Sequence, residues 1–315
     1  MTARSILVYH PDPGLALAYA RLIKQPHPFF EVHPCGTPAA ARLHIANAEI
    51  LYAWNFPLEL LPRAASLRWV QNMGAGVERF LVPELPGTVA LTRVAGIFGP
   101  WMAEYVLGWC LWFTQRTEIF RDQQRERRWR QADPLRLHGA TLCVVGLGDI
   151  GRTIARAARG FGMHVVGVSR SGKMVAEAER VYRTRALKQA LGAADFVALT
   201  VPLTEATRGL IGTAELAAMK PSAWLINIAR GAVVDEPALL EALRANRLGG
   251  AILDVFTEEP LPARHPLWEF DNVVITPHIS GPSTPDEIAP IFNDNLRRYL
   301  ARRPLRFTVD RTRGY

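Results

Sequence analysis

The chain has 315 residues, with 37 basic against 29 acidic side chains for a net charge of +8, and is 49% hydrophobic and 21% charged. This composition excludes disordered and collagen-like architectures, and at about 150 residues per domain the length suggests two domains. Three scattered cysteines (Cys35, Cys110, Cys143) argue against a disulfide framework and for a reducing compartment, while the positive charge suits an anionic substrate or cofactor, or nucleic acid, without choosing between them.

Met1 to Ser5 run straight into a strand-like segment, Ile6–Tyr9, with no long apolar stretch of a signal peptide. The most apolar later run, Tyr105–Thr114, is shorter than the roughly 18 residues that span a bilayer, so the expectation is a soluble, cytoplasmic protein without a membrane partner. Ile6–Tyr9, Phe30–His33, Ile50–Ala53, Trp69–Gln71 and Val89–Leu91 read as buried strands. Amphipathic segments lie between them at Leu15–Ile23 and Ala39–Ala46, the second announced by Thr37-Pro38, a helix-start pair. The alternation is that of an open, doubly wound parallel sheet. From Gly99 to Arg130 one long helix is expected, apolar at first and ending with five arginines between Arg121 and Arg130. That end reads as a solvated or subunit-facing surface; a nucleic-acid patch is the sharper alternative, and nothing else in the chain supports it.

A second alternating series follows Asp133-Pro134. Its strands are Thr141–Val145, His164–Val168, Phe196–Leu199, Trp224–Ile228, Ala251–Leu253 and Val273–Thr276, and a last helix spans about Thr284–Leu300. The expected division is residues 1–98, completed by 283–315, and residues 99–282.

Gly146-Leu147-Gly148-Asp149-Ile150-Gly151 sits between a strand and a helix, the context that a dinucleotide fingerprint requires. Gly146 allows the tight turn, Gly148 the approach of a pyrophosphate and Gly151 close helix–sheet packing, with phosphates at the helix N-terminus. The next strand ends in Val168-Ser169-Arg170-Ser171-Gly172-Lys173, where an NAD enzyme usually carries an acid. Without a carboxylate to repel a 2′-phosphate, and with Arg170 and two serines to donate to one, the turn reads as NADP(H)-preferring, NAD(H) remaining open; the plain alternative is a solvent-facing turn. Thr200–Thr204, Asn227–Gly231, Leu253–Pro260 and Thr276–Gly281 read as loops at strand ends, where ligands bind in such sheets, so Arg230, Asp254, Glu259 and His278 are expected at one crevice.

With these segments the chain resembles the D-2-hydroxyacid dehydrogenase family over nearly its whole length, and within it the NADP-dependent glyoxylate/hydroxypyruvate reductases. The likeness rests on Asn72-Met73-Gly74-Ala75-Gly76-Val77, the helix of Glu104, the glycine turn, Pro202-Leu203-Thr204, and the Arg230, Glu259 and His278 loops in the family's order. The Glu-Pro pair selects Glu259 over Glu258. The resemblance implies a flavodoxin-like substrate domain and a Rossmann dinucleotide-binding domain with a cleft between them, and a homodimer through the 99–130 helix. It implies hydride transfer from NADPH to a small, anionic 2-keto acid, with His278 as proton donor, Glu259 orienting its ring, and Arg230 holding the carboxylate and keto oxygen. An imidazole titrates near working pH, about 6.5, which suits it to that task.

It further implies cofactor contacts from the fingerprint, Ser169, Arg170, Ser171, Thr200, Val201, Pro202, Thr207, Ile228, Ala229, Asp254 (on the nicotinamide carboxamide), Ser280 and Gly281. Substrate contacts would come from Met73, Gly74 and Ala75, with Arg93 a second anion contact and Trp54 either a pocket wall or a core aromatic. Arg93, Phe98 and Trp101 are bulkier or more charged than many members carry and leave substrate size open. No metal is expected: His10, His27, His33, His44, His138, His164 and His265 show no ligand spacing. Two rivals stand beside this reading: an NAD-dependent oxidation of another D-2-hydroxy acid, and a non-catalytic dinucleotide-sensing or corepressor-like protein.

Overall fold

A computed structural model describes residues 4–24 and 30–315. Met1, Thr2 and Ala3, the lead-in to the first expected strand, and His27 lie outside the described residues. The chain divides into two units, one running to Ile97 and resuming at Ser283, the other spanning Phe98–Pro282.

The first unit contains β1 (Arg4–Tyr9), α1 (Pro13–Arg21), β2 (Phe30–Cys35), α2 (Pro38–His44), β3 (Ala48–Ala53), β4 (Trp69–Asn72) and β5 (Ala90–Thr92). All strands are parallel in the order β2-β1-β3-β4-β5, the flavodoxin-like arrangement. Consecutive Ile6, Leu7 and Val8 are fully buried, as a strand covered on both faces demands. Asp12 accepts from the backbone N–H groups of Gly14 and Leu15, and Thr37 from that of Ala40; each precedes a proline at the first helical position, so both helices start where the sequence places a cap. The C-terminal helix, Pro285–Leu300, completes this unit: its Phe292 ring stacks on Tyr52 at 4.1 Å and Trp69 at 5.2 Å, and the Asn295 amide donates to Gln71.

The second unit contains α3 (Phe98–Thr114), α4 (Thr117–Arg125), β6 (Thr141–Val145), α5 (Asp149–Gly160), β7 (His164–Ser169), β8 (Arg180–Arg183), α6 (Leu187–Ala193), β9 (Phe196–Leu199), α7 (Thr213–Leu216), β10 (Trp224–Asn227), α8 (Glu236–Arg244), β11 (Gly250–Leu253) and β12 (Val273–Ile275). Its seven parallel strands lie in the order β12-β11-β10-β9-β6-β7-β8, the Rossmann arrangement with one further strand. The order reverses between β6 and β9, so the ends of these two strands flank the switch point where such sheets bind ligands.

Two expectations are corrected. The single helix over 99–130 is broken: Arg116 takes a left-handed conformation (φ 54°) between α3 and α4, and a second left-handed residue, Arg127 (φ 54°), follows the end of α4. β8 was not foreseen, because Arg-Val-Tyr-Arg on a sheet edge has no fully buried residue and so no apolar run. Among the described residues no helix is long and apolar enough to cross a membrane.

Glu177, whose side chain is 8% exposed, ties α5 to the segment before β8 by accepting from Arg152 at 3.1 Å and Arg156 at 2.9 Å. The two guanidiniums pull its carboxyl down to about 2. A carboxyl depressed in the folded state stabilises above its unfolded value and loses that contribution as pH falls through the folded one. Glu177→Gln is therefore expected to lower Tm at neutral pH. The gap between variant and parent should close as pH falls from about 4.5 towards about 2. A pH series of denaturation midpoints checks this; a gap that persists at the lowest pH refutes the assignment.

Candidate active site

The glycine turn is shaped by backbone proximity. Gly146 leaves β6 at φ +108°, its N–H donating to the Val168 carbonyl at 2.9 Å, while the Thr200 hydroxyl at the end of β9 donates to the Gly146 carbonyl at 2.6 Å. A Cβ on Gly151 would overlap the Gly146 carbonyl oxygen, so only glycine lets α5 start this close to the sheet. At Gly148, by contrast, a Cβ would meet nothing within 4 Å, and Gly148 is the N-cap of α5 with no side chain capping the helix. Uncapped N–H groups beside an open approach, with the positive end of the helix dipole, fit a dinucleotide pyrophosphate. Leu147 lies in the turn; Asp149, Ile150 and Gly151 open the helix.

Ser169 ends β7 and accepts from the Gly172 N–H at 3.1 Å, and the Ser171 hydroxyl accepts from that of Lys173 at 3.2 Å, so both serines stiffen a turn whose Arg170 is exposed. Gly172 has φ +64°, and the Arg183 side chain fills the place its Cβ would take. Arg183 stands opposite Ser169 in the β7–β8 register. It adds a third cation beside Arg170 and Lys173, and sequence reasoning missed it because it missed β8. Beyond β9, the Thr207 hydroxyl donates to the Pro202 carbonyl at 2.6 Å and so closes the loop that carries Val201.

Arg230, Glu259 and His278 follow β10, β11 and β12, three adjacent strands. Ile228 and Ala229 are buried under the first of these loops. Asn227 braces it, its amide donating to the Arg230 carbonyl at 3.0 Å while its side-chain oxygen accepts from the Ala229 N–H. Arg230 is half-buried, one nitrogen donating to the Ala229 carbonyl at 2.7 Å. A Cβ on Gly231 would overlap the backbone of Phe256 and Thr257, so glycine there brings the Arg230 loop against the loop of Glu259. One Glu259 oxygen accepts from the Phe256 N–H at 2.9 Å and the other pairs with His278 Nδ1 at 2.9 Å. With Nδ1 held, Nε2 is the ring nitrogen left to exchange a proton with a ligand. His278 is 47% and Glu259 39% exposed, so the pair is open to solvent.

His278 sits at φ 55°, a conformation that costs a non-glycine residue roughly 1–2 kcal/mol. Its N–H donates to the carbonyls of Asp254 (2.9 Å) and Thr276 (3.1 Å). Asp254 is fully buried, and its carboxylate accepts from the Thr276 hydroxyl at 2.6 Å and the N–H groups of Ile279 (2.8 Å) and Ser280 (2.9 Å). Asp254 thus anchors the His278 loop, a task the sequence did not disclose. The Ser280 hydroxyl is buried without a partner among the described residues, a polar atom that fits a cofactor amide, and Gly281 follows it.

Trp54, Met73, Gly74, Ala75 and Arg93 belong to the first unit. Trp54 packs over Gly74, in the space its Cβ would need, and is 37% exposed. The Asn72 amide donates to the carbonyls of Gly74 (3.1 Å) and Gly76 (2.6 Å), which rounds the loop, Met73 is buried beneath it, and the half-buried Arg93 lies just past β5. His164 pairs with Glu179 and His265 with Glu236, contacts of structure, and no group of three or more potential metal ligands occurs among the described residues.

Comparison with known proteins identifies the family and the fold. The model of the D-isomer specific 2-hydroxyacid dehydrogenase NAD-binding domain matches residues 107–280. A glyoxylate/hydroxypyruvate reductase A of Yersinia enterocolitica is 31% identical over 307 residues, 92% of this chain and 98% of the relative. Among solved structures, a D-isomer specific 2-hydroxyacid dehydrogenase family protein from Aeromonas salmonicida has 39% identity and a TM-score of 0.91, covering 98% of this chain and 99% of that one. An NADPH-dependent glyoxylate/hydroxypyruvate reductase from Sinorhizobium meliloti, in complex with NADP and sulfate, has 29% identity and a TM-score of 0.88, covering 99% and 100%.

The two glycines make separable predictions. Gly148→Ala should keep the parent Tm within about 1 °C yet weaken dinucleotide binding at least about tenfold, because its methyl group obstructs only the ligand. Gly151→Ala should lower both. Equal dinucleotide affinity in Gly148→Ala, by fluorescence titration, would move the pyrophosphate elsewhere.

Proposed function

The chain belongs to the D-isomer specific 2-hydroxyacid dehydrogenase family, and we propose that within it the protein is an NADPH-dependent reductase of small 2-keto acids of the glyoxylate and hydroxypyruvate type. The observation that carries the reading is the His278–Glu259 pair, held on the strand-end edge that also bears the glycine turn, with the Arg230 loop packed against it. A nicotinamide dinucleotide, when bound, supplies the hydride that adds to the keto carbon. His278 delivers the proton: Nε2–H faces the keto oxygen while Nδ1 remains on Glu259, so the carboxylate balances the imidazolium before transfer and keeps the ring in place after it. The half-exposed ring recovers its proton from water. Arg230 binds the substrate carboxylate and polarises the keto oxygen, through charge-assisted bonds of about 1.5–3 kcal/mol each.

Support for NADPH over NADH comes from the turn after β7, where Arg170, Lys173 and Arg183 gather and residues 169–173 include no carboxylate. The named cofactor of the Sinorhizobium relative points the same way. Purified protein should oxidise NADPH with glyoxylate or hydroxypyruvate, and inactivity of both cofactors with every short 2-keto acid would leave the dinucleotide-sensing alternative. Arg170→Asp should reverse the NADPH:NADH ratio of kcat/KM. Arg230→Ala should lose about 100-fold or more in kcat/KM with dinucleotide affinity within about twofold; an unchanged rate removes Arg230 from the site.

The reading also includes a homodimer. α4 buries no residue, and Ile119 and Phe120 on it are 42% and 40% exposed, an apolar patch suited to a second copy of the chain. Phe120→Glu is expected to shift the sedimentation equilibrium towards monomer; a parent protein that sediments as a monomer refutes the dimer.

A further inference from the structure

We propose that Tyr105, on α3, is a positioning residue for His278, acting through Thr276 and Asp254; this rests on the assignment of His278 as the proton donor. The Tyr105 hydroxyl lies 2.6 Å from the Thr276 hydroxyl, which in turn lies 2.6 Å from an oxygen of the buried Asp254. A threonine hydroxyl has one hydrogen, and here it goes to the carboxylate, so Tyr105 is the donor in its own contact with Thr276. Burial pushes the Tyr105 phenol well above its ordinary range, which keeps that donor protonated at every working pH. Asp254 then holds the other side of the loop by accepting from the N–H groups of Ile279 and Ser280, and its carbonyl takes the N–H of His278 itself.

The array matters because His278 is in the left-handed region (φ 55°) and its ring is half-exposed. Nothing in its own conformational preference keeps it there; surrounding hydrogen bonds must do so. The donor from α3 completes the carboxylate's environment from a helix that lies far away in sequence. Removing it leaves Thr276 free to rotate away from Asp254, and the loop that aims Nε2 loses one of its restraints.

Four variants test this: Tyr105→Phe, Thr276→Val, Thr276→Ser, and Tyr105→Phe combined with Thr276→Val. In single turnover with NADPH and a 2-keto acid, Tyr105→Phe should slow the reaction about fivefold to tenfold, with dinucleotide Kd within about twofold. Thr276→Val should be at least as slow, Thr276→Ser should restore most of the loss, and the double variant should be no slower than Thr276→Val alone, because both changes cut one chain. In the ligand-free protein, the imidazole resonances of His278, assigned by their loss in His278→Gln, should broaden or split in Tyr105→Phe. A parent-like rate in Tyr105→Phe, additive losses in the double variant, or a Thr276→Ser as impaired as Thr276→Val would each overturn the proposal. If His278→Gln itself keeps the parent rate, the proton-donor assignment fails first, and this inference with it; a crippled His278→Gln beside a parent-like Tyr105→Phe sinks the inference alone.

Discussion

The second unit is organised around one requirement: a carboxylate buried at the end of β11 must be fully satisfied. Asp254 has no solvent exposure, and a charge in such a place is tolerated only with hydrogen bonds on both oxygens. The chain supplies them from the loop that follows β12, so meeting the electrostatic demand also fixes the path of residues 276–280. His278 inherits its place from that path. Its ring is in position because its neighbours on both sides are tied to a group that cannot be left unpaired.

A second constraint is steric and works through missing atoms. At Gly151 and Gly231 a methyl group would collide with backbone, with the Gly146 carbonyl in one case and the Phe256–Thr257 peptide in the other. The first permits α5 to begin at the sheet edge, and the second lets neighbouring loops touch. Gly148 differs, because nothing in the protein fills the space beside it. The contrast separates glycines required by packing from one that packing leaves open.

The site therefore combines a rigid interior with an accessible surface. Asp254 and Thr276 are buried and locked in place, whereas Glu259 and His278 are about half-exposed. That division suits the proposed proton transfer: the exposed pair can exchange with water, and the buried anchors keep the geometry constant while it does so. Attraction within the exposed pair is screened by solvent, so its value lies in orientation more than in stability.

Much of this was legible from the chain alone. Apolar runs such as Ile6–Tyr9 and Thr141–Val145, the helix start at Thr37-Pro38 and the glycine turn announced two parallel α/β units, while Arg230, Glu259 and His278 were singled out together through the family resemblance. These signals live in short windows, where periodicity and turn chemistry act directly. What only the tertiary structure decided were relations between distant windows. The half-exposed edge strand β8 brings Arg183 over Gly172, α3 ends at a left-handed Arg116 without any glycine or proline to mark it, and Tyr105 reaches Thr276 across 171 positions. Such contacts follow from which strands lie side by side and which helix covers them. Sheet order is settled by burial summed over the whole unit, so no local stretch of sequence carries it.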